Sequence, residues 1–320
     1  MQILDADAVL ALSPFGPLME ALAEAHRQAR PEIGRVLLSP PTESGHGEEG
    51  FLVLPAWAPG RALGVKMASV FPQNVAAGEG LPTVQAAYQL FDGRNGSPLA
   101  VIDGTALTRR KTAADSGLGA KLLAREDAEV LLMIGAGALA PHLIAAHRTA
   151  RPSLRRVLVW NRSAERRDDL VARLRDEGLA IEAAEDREAA VRAADVICAA
   201  TMSTEPLVEG AWLKTGAHLD LVGGFTPEMR EADDEAVRRS SVFVDYRGST
   251  VGEAGDLTQP IEAGVIAEAE VQADLFDLCQ GRHPGRRSED EITFYKNGGG
   301  GHLDLFTAEF LVRQDAAGQA

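Results

Sequence analysis

Residues 130–141 read Val-Leu-Leu-Met-Ile-Gly-Ala-Gly-Ala-Leu-Ala-Pro, an apolar run followed at once by the pattern G-x-G-x-x-A. The apolar run predicts a buried strand, and the residues after it predict a helix with Pro141 in its first turn. Gly135 allows a tight turn, Gly137 lets a pyrophosphate approach the backbone, and Ala140 allows the helix to pack closely on the strand. The stretch therefore predicts a dinucleotide-binding turn, and the alternative is a glycine turn in another kind of α/β protein. The predicted cofactor contacts here are Gly135, Gly137, Ala138, Leu139 and Ala140.

The second half of the chain alternates strand and helix patterns around this turn. The predicted strands are 130–134, 157–160, 181–184, 196–200, 218–222 and 242–244. Alternation of this kind is typical of a parallel sheet that is covered by helices on both faces. We therefore expect an α/β protein with a Rossmann doubly wound domain.

The residues before this domain show a different pattern of secondary-structure signals. Apolar residues at helical spacing predict a helix over 5–29. Short β-rich runs separated by turn residues follow from 35 to 103, and the turn over 92–96 predicts a hairpin. A helix that is opened by Thr108 or Thr112 and reaches Ala124 then leads into the second half.

Composition excludes several classes of protein. The 320 residues are 45% hydrophobic and 25% charged, close to the average for globular proteins. A net charge of −15 repels phosphate backbones and anionic lipid, so we expect no nucleic-acid partner and no membrane partner. There are only two cysteines, no targeting segment is recognised, and the seven histidines show no metal-ligand spacing. We expect a cytoplasmic protein that binds no metal.

The end of the second strand bears on the type of dinucleotide. NAD-specific sites place an Asp or Glu there to bind the ribose hydroxyls, and that acid would repel a 2′-phosphate. This chain has Asn161, Arg162 and Ser163 instead. An arginine and a hydroxyl suit a phosphate monoester, so NADP(H) is favoured, with NAD(H) as the other possibility. Alternatively, Asn161 and Ser163 simply cap the next helix.

Two further strand ends carry small and hydroxyl residues. Ligands of open parallel sheets lie beyond the carboxyl ends of the strands. Thr201 and Ser203 follow one predicted strand, and Gly223 follows the next. We expect these three residues to lie beside a nicotinamide ring.

Basic residues of the front half are candidates for a substrate site. Lys66 lies in a β-run with apolar neighbours, where desolvation would lower its pKa and suit proton transfer beside an imine. A lysine on the solvent face of a strand is the alternative. Arg109, Arg110 and Lys111 open the predicted helix, where cations oppose the helix dipole, so carboxylate binding is a reasonable purpose for them. A solvated charge cluster is the other interpretation.

A series of short motifs then identifies a family. In chain order they are Gly64-Val65-Lys66, Phe71-Pro72-Gln73-Asn74, Leu90-Phe91-Asp92, Pro98-Leu99-Ala100, Asp103-Gly104, Leu107-Thr108, Lys111-Thr112-Ala113-Ala114, the glycine turn, Glu253-Ala254-Gly255-Asp256-Leu257, and Tyr295-Lys296-Asn297-Gly298-Gly299 with Asp304. In this order they resemble the ornithine cyclodeaminase/mu-crystallin family over nearly the whole chain.

The resemblance implies an architecture and an activity. Family members are homodimers with a Rossmann domain and a split second domain, here a Rossmann NAD(P)-binding domain over 117–302 and an α+β substrate-binding and dimerisation domain over 1–116 with 303–320. The implied activity is NAD(P)H-dependent reduction of a small cyclic or α-imino acid, of the Δ1-pyrroline-2-carboxylate or ketimine type, in amino-acid metabolism. The alternatives within the family are ornithine cyclodeaminase, which forms L-proline and ammonia and recycles NAD+, an alanine dehydrogenase, and a mu-crystallin-like protein that binds NADPH and a ligand without turnover.

The resemblance also assigns roles to residues. Arg35 and Lys66 match positions that contact the substrate carboxylate, and Lys66 is the implied acid/base group. Lys111 stands where the family usually has an arginine, and a lysine cannot form the arginine's bidentate fork. Arg110, next to it, is a candidate to compensate. The matched motifs add Thr112, Lys296 and Asn297 to the expected cofactor contacts.

Phe225 is a second departure from the family pattern. Ornithine cyclodeaminases have an aspartate there, which binds the δ-amino group of the substrate. Phenylalanine can neither bind an ammonium as a carboxylate does nor move a proton. We therefore expect a substrate with a neutral side chain or ring, which favours the imine reductase over the cyclodeaminase.

Overall fold

The protein, here a computed structural model, is described over residues 1–39, 49–74 and 81–318. It divides into two compact units, residues 1–111 with 300–320 and residues 112–299. The division predicted from the sequence stands a few residues away, at 116/117 and 302/303. One long helix, α3 below, runs through the division between Lys111 and Thr112.

The strands are β1 (Gln2–Leu4), β2 (Glu32–Ile33), β3 (Val36–Leu38), β4 (Gly50–Ala58), β5 (Ala62–Val70), β6 (Val84–Asp92), β7 (Pro98–Asp103), β8 (Val130–Ile134), β9 (Arg156–Trp160), β10 (Ile181–Ala183), β11 (Val196–Ala199), β12 (His218–Leu221), β13 (Ser240–Val244), β14 (Ala273–Asp274) and β15 (Ile292–Lys296). The helices are α1 (Ala6–Leu12), α2 (Phe15–Arg27), α3 (Gly104–Leu123), α4 (Ala140–Ala150), α5 (Ala164–Asp176), α6 (Arg187–Ala193), α7 (Asp234–Arg238), α8 (Arg247–Thr250), α9 (Gly255–Glu262), α10 (Leu275–Cys279) and α11 (Gly301–Gly318).

The first unit is a sheet covered on one face by helix α11. Its strand order is β1-β7-β6-β5-β4-β2, and β3 also pairs with β4. Of these strand pairs, β1–β7 is parallel and the others are antiparallel. Side chains alternate along β5, which places Ala62 and Lys66 on the buried face. Leu305 and Leu311 of α11 pack there in the core of the unit. The predicted hairpin over 92–96 is confirmed as the β6–β7 connection.

Two sequence predictions for the front half are wrong in detail. The helix predicted over 5–29 is two helices, α1 and α2, which are broken at Pro14, since proline lacks the N–H that a helix interior needs and clashes with the preceding turn. Helix α3 begins at Gly104, about two turns before Lys111. The basic run that ends at Lys111 therefore lies inside α3, and the argument from the helix dipole does not apply to it.

The second unit is an eight-stranded sheet of order β10-β9-β8-β11-β12-β15-β13-β14, in which every strand pair is parallel. The predicted Rossmann doubly wound arrangement is confirmed. Strands β9 and β10 lie on one side of β8, and β11 and β12 lie on the other side, so the strand order reverses between β8 and β11. Open α/β sheets bind their ligands at such a reversal. The sequence prediction missed β14 and β15. Strand β15 comes last in the chain yet inserts between β12 and β13.

Within residues 1–39, 49–74 and 81–318, no single helix has the length and hydropathy of a membrane span. Helices α1 and α2 meet the length and composition requirement only as a pair, and that pair is bent by 81°.

Candidate functional site

The turn between β8 and α4 has the geometry that its glycines predict. Gly135 has φ +110°, and an added Cβ would lie 2.7 Å from the carbonyl oxygen of Ala200. An added Cβ at Gly137 would meet nothing within 4 Å. The fold itself therefore requires glycine at Gly135 but not at Gly137, where the open space leaves room for a ligand against the backbone.

The residues after β9 form the start of α5. The Asn161 side chain donates to the Ser163 carbonyl oxygen at 2.9 Å, and the Ser163 hydroxyl accepts from the Arg166 backbone N–H at 3.3 Å. The capping role considered for these two residues is present for Ser163, the N-cap of α5, whereas the Asn161 side chain donates to a carbonyl oxygen instead of accepting from a helix N–H. Arg162 is exposed between them, and no acidic side chain stands at this strand end.

Glu231 joins the loops that follow β11 and β12. Its Oε1 accepts from the Thr201 backbone N–H at 2.6 Å and from the Thr201 hydroxyl at 2.8 Å, while its Oε2 accepts from the Gly223 N–H at 2.7 Å. Two of the expected nicotinamide contacts are therefore fixed by one buried carboxylate. The third, Ser203, donates its hydroxyl to the Glu205 carbonyl oxygen at 2.6 Å.

Glu231 belongs to a buried charge cluster with Asp256 and Lys296. Asp256 Oδ1 accepts from the Glu231 backbone N–H at 2.7 Å, and Asp256 Oδ2 pairs with Lys296 Nζ at 3.0 Å. Lys296 also donates to the Gly223 carbonyl oxygen. Burial, and next the charge of Asp256, raises the pKa of the Glu231 carboxyl to about 7, against the lowering effect of Lys296 and Thr201. Lys296, expected at the cofactor, thus has its ammonium inside this cluster.

Asn297 and Thr112 lie together at the end of β15. The Asn297 side-chain nitrogen donates to the Thr112 carbonyl oxygen and to the Ser116 hydroxyl, each at 3.0 Å. The side-chain oxygen of Asn297 is buried and accepts no hydrogen bond from the described part of the chain. A buried amide oxygen without a donor is costly, so this atom is suited to a ligand donor such as a carboxamide N–H.

In the first unit, Lys66 and Lys111 converge on Asp304. Lys66 Nζ lies 2.8 Å from Asp304 Oδ2, and Lys111 Nζ lies 3.8 Å from the same atom and 3.5 Å from the Gly300 carbonyl oxygen. Lys66 is 6% exposed and Asp304 is fully buried, which confirms the buried interpretation of Lys66 over the solvent-face alternative. Two basic side chains thus converge on one buried carboxylate, and such side chains are also suited to bind a carboxylate of a ligand.

Tyr88 lies beside Lys66 as its partner across β5 and β6. Burial, followed by the charges of Asp304 and Glu309, raises the pKa of Tyr88 well above its usual value. Its phenol therefore stays protonated, and its ring fills the space above Gly64, where any added Cβ would collide with it.

The other predicted substrate residues are Arg110, Arg35 and Phe225. Arg110 is buried with its guanidinium 3.5 Å from the centroid of the Phe15 ring, and it donates to the hydroxyl and carbonyl oxygens of Ser13. Burial lowers the pKa of Arg110 to about 10. Its contacts join α3 to the break between α1 and α2, so Arg110 does not take part in the Lys66–Lys111–Asp304 cluster. Arg35 is exposed between β2 and β3, and Phe225 is 56% exposed after β12.

Three buried side chains form the one group with metal-ligand proximity among the described residues. The ligand atoms of His147, Cys198 and Asp220 all lie within 4.8 Å of one another. Hydrogen bonds account for this arrangement, because Asp220 Oδ2 accepts from Cys198 Sγ at 3.1 Å and lies 3.0 Å from His147 Nε2. That no metal binds stays a prediction, and His46 lies outside the described residues.

These residues fit a nicotinamide dinucleotide. The open face at Gly137 suits a pyrophosphate, and the first backbone N–H groups of α4 add a positive dipole end. The unpartnered Asn297 oxygen suits a donor on the nicotinamide end.

Comparison with known proteins agrees with this geometry. A sequence model of the Ornithine cyclodeaminase/mu-crystallin family matches residues 6–319. The chain is 42% identical over 295 residues to Delta(1)-pyrroline-2-carboxylate reductase of Paracoccus denitrificans, covering 92% of this chain and 91% of that protein. It is 32% identical over 272 residues to ketimine reductase mu-crystallin of Mus musculus, covering 84% and 82%.

Two solved structures are similar along the whole chain. Thermococcus litoralis Delta(1)-pyrroline-2-carboxylate reductase, in complex with NADH and L-proline, has a TM-score of 0.91 at 29% identity and covers 100% of this chain and 99% of its own. An archaeal alanine dehydrogenase dimer with bound NAD has a TM-score of 0.89 at 27% identity and covers 100% and 97%.

Proposed function

We propose, from the premise that this chain belongs to the ornithine cyclodeaminase/mu-crystallin family, that it is an NAD(P)H-dependent reductase of Δ1-pyrroline-2-carboxylate or a closely related imino acid. The observation that carries the proposal is the buried Lys66–Asp304 pair at 2.8 Å with Lys111 beside it. It brings a proton donor and a second basic side chain together in one place, and the reduction of an imine next to a carboxylate needs a group for each task.

Each residue of this cluster has a separate task in the reaction. When bound, a reduced nicotinamide dinucleotide would supply the hydride for the new C–H bond at the imine carbon. The Lys66 ammonium supplies the proton that the imine nitrogen takes as the C=N double bond becomes a single bond. Lys111 holds the substrate carboxylate, with Arg35 as a second contact implied by the family. Asp304 orients Lys66 through the ion pair of 2.8 Å.

Phe225 sets the substrate class. An exposed phenylalanine after β12 offers an apolar surface in place of the aspartate that binds an ammonium in cyclodeaminases. A ring without a charged amino group therefore fits better than ornithine, because Phe225 has no carboxylate to pair with an ammonium or to take a proton from it. We propose the reductase reaction for this reason, and the cyclodeaminase reaction is an outcome of the test.

The test is the rate of NADPH oxidation by the purified protein with Δ1-pyrroline-2-carboxylate, with NADH in parallel. Rapid oxidation that requires the imino acid is the expected result. Absence of turnover with both cofactors, together with ammonia release from L-ornithine, would replace the proposal with the cyclodeaminase. Binding of NADPH without either reaction would contradict the proposal and indicate a protein that binds ligands without turnover.

We propose NADP(H) as the preferred cofactor, and replacing Arg162 with Ala tests this preference. Arg162 is exposed beside Ser163 at a strand end without an acidic side chain, so it is free to pair with a 2′-phosphate. We expect R162A to raise the dissociation constant of NADPH by about 10-fold to 100-fold, the value of a charge-assisted hydrogen bond, and to leave that of NADH nearly unchanged. Fluorescence titration measures both constants, and R173A, at the other end of α5, is the control. Equal loss for both cofactors would contradict the preference.

A substitution at Gly137 tests cofactor binding without disturbing the fold. Because an added Cβ there meets nothing in the protein, G137A is expected to keep the free energy of unfolding within about 0.5 kcal/mol. The same methyl group would stand where the pyrophosphate approaches, so we expect NADPH binding to weaken by about tenfold or more. G135A is the contrasting variant, since its φ of +110° strains any other residue. Unchanged NADPH affinity in G137A would place the pyrophosphate elsewhere.

We propose a homodimer that forms through the outer face of the first sheet. This face carries exposed apolar side chains, Val36, Leu38, Phe51, Trp57 and Met67, on the side of the sheet opposite α11. Patches of this kind mark interfaces. Sedimentation of the wild type is expected to give twice the mass of 34.0 kDa, and W57E is expected to give the single mass. L10E, an exposed position on α1, is the control, and a monomeric wild type would contradict the proposal.

A further inference from the structure

The strongest feature that the proposed reaction leaves unused is the buried charge cluster of Glu231, Asp256 and Lys296. All three side chains are fully buried in the second unit. The hydrogen bonds of both carboxylates come from donors alone: Glu231 accepts three from Thr201 and Gly223, and Asp256 accepts from two backbone N–H groups and from Lys296. Surroundings that offer only hydrogen-bond donors suit ionised carboxylates, which can only accept. When all three groups are ionised, two carboxylates and one ammonium give the cluster a net negative charge.

This charge lies directly behind the loops at the carboxyl ends of β11 and β12. An added Cβ at Gly223 would collide with Glu231, and one at Gly224 would collide with Asp256. Because Gly223 and Gly224 have no side chains, both carboxylates contact the loop backbone directly. Only the thickness of that backbone separates the carboxylates from the opposite surface of the loop. In a fully buried site a charge is screened little by solvent, so it acts through this thin layer.

We propose that Glu231 biases the cofactor site toward the oxidised nicotinamide, acting as a positioning residue and as a fixed negative charge behind the Thr201 and Gly223 loops. This inference rests on the proposed function, and on the expectation from the sequence that Thr201, Ser203 and Gly223 lie beside the nicotinamide ring. Oxidised nicotinamide is cationic and the reduced form is neutral. A negative charge nearby stabilises the cation, which favours release of hydride from the reduced cofactor and thus suits a reductase.

The charge state of the cluster changes in the working pH range. With the Glu231 pKa raised to about 7, its carboxyl is neutral in mild acid and negative in mild base. The charged groups that face it are Asp256 from α9 and Lys296 from β15, with Cys198 of β11 also close enough to feel its charge. Burial raises the pKa of Cys198 well above its usual value, so the thiol stays neutral over this range. The preference for the oxidised cofactor should therefore grow as the pH rises through neutrality.

The experiment measures dissociation constants of NADP+ and NADPH for the wild type and E231Q, at about pH 6 and about pH 8.5, without substrate. We expect the ratio of the NADP+ dissociation constant to the NADPH dissociation constant to fall with pH in the wild type. In E231Q we expect this ratio to be independent of pH and about tenfold higher than in the wild type at about pH 8.5, where the wild type has the charge that E231Q lacks. E228Q, an exposed glutamate on the same loop, is the control. A purely structural role would weaken both forms equally and keep the ratio.

Each failure has its own signature. A wild type that binds neither form of NADP(H) nor of NAD(H) would overturn the proposed function and this inference together. Tight binding with a ratio that E231Q does not change would overturn this inference alone. If E231Q does not fold, the pH series on the wild type is extended from about pH 8.5 down to about pH 4.5, the ordinary pKa of a glutamate. Because burial raises the pKa of Glu231, a ratio that stays constant over this whole span contradicts a charge at Glu231 that acts on the nicotinamide.

Discussion

Replacing Lys66 with Met is expected to lower kcat for imine reduction by about 10²–10⁴-fold, the range that general acid catalysis contributes. Methionine keeps the length and apolar stem of lysine but has no proton to donate. Because Lys66 lies in the first unit and the glycine turn in the second, we expect the dissociation constant of NADPH to stay within about twofold, under 0.5 kcal/mol. Stopped-flow turnover and fluorescence titration measure the two quantities on one preparation.

Two companion variants distinguish the proton donor from a general effect of charge. K121M removes an exposed lysine from α3 and is expected to change neither constant. K111M removes the residue assigned to the carboxylate, so it should act mainly by raising KM for the imino acid. If K66M retained turnover, or if K66M and K111M gave the same pattern, the assignment of Lys66 as the acid would be wrong.

The glycine turn and the strands around it could be predicted because their signals are local. Gly135 follows β8 directly, and the apolar run and the helix after it occupy neighbouring positions in the chain. The same is true of the 92–96 hairpin. Such elements depend on residues close in sequence, so periodicity and turn chemistry identify them.

The partners of the site residues could not be predicted in this way. Lys66 was a candidate from its apolar strand, yet the carboxylate that pairs with it is Asp304, near the other end of the chain. No sequence pattern singles out Glu231, although it fixes Thr201 and Gly223. In the sequence, an acidic residue after a glycine pair looks like any other loop residue. Its role follows only from the pairing of β11 with β12, which brings the ends of these two strands together. Ion pairs between residues far apart in the chain depend on how the strands and helices are arranged in the fold. A pattern of neighbouring residues therefore does not predict them.

Arg110 shows how local reasoning fails at a neighbouring position. It stands next to Lys111 and has the longer, forked side chain, which made it a candidate to replace the arginine of the family. Consecutive residues of a helix point about 100° apart, so only one of the two faces the cluster at Asp304. The structure turns Lys111 toward Asp304 and Arg110 toward Ser13.

Replacing Asp304 with Ala is expected to lower the free energy of unfolding by about 3–5 kcal/mol, the cost of removing one partner from a buried ion pair. Asp304 is fully buried, and the two ammonium groups that face it are also buried, so solvent cannot take its place. Chemical denaturation at fixed protein concentration measures the change. E188A breaks an exposed i, i+4 pair with Arg192 on α6 and is the control, with an expected loss of about 0.3–0.5 kcal/mol.

The double variant K66M/D304A shows whether the loss in D304A comes from uncompensated charge. Removing both partners of a buried pair is far less costly than removing one, because no unpaired ion is left behind. We therefore expect K66M/D304A to recover part of the stability that D304A loses, while remaining inactive. A D304A loss no larger than that of E188A would mean that water reaches Lys66, and the buried cationic cluster that carries the proposed function would not exist in solution.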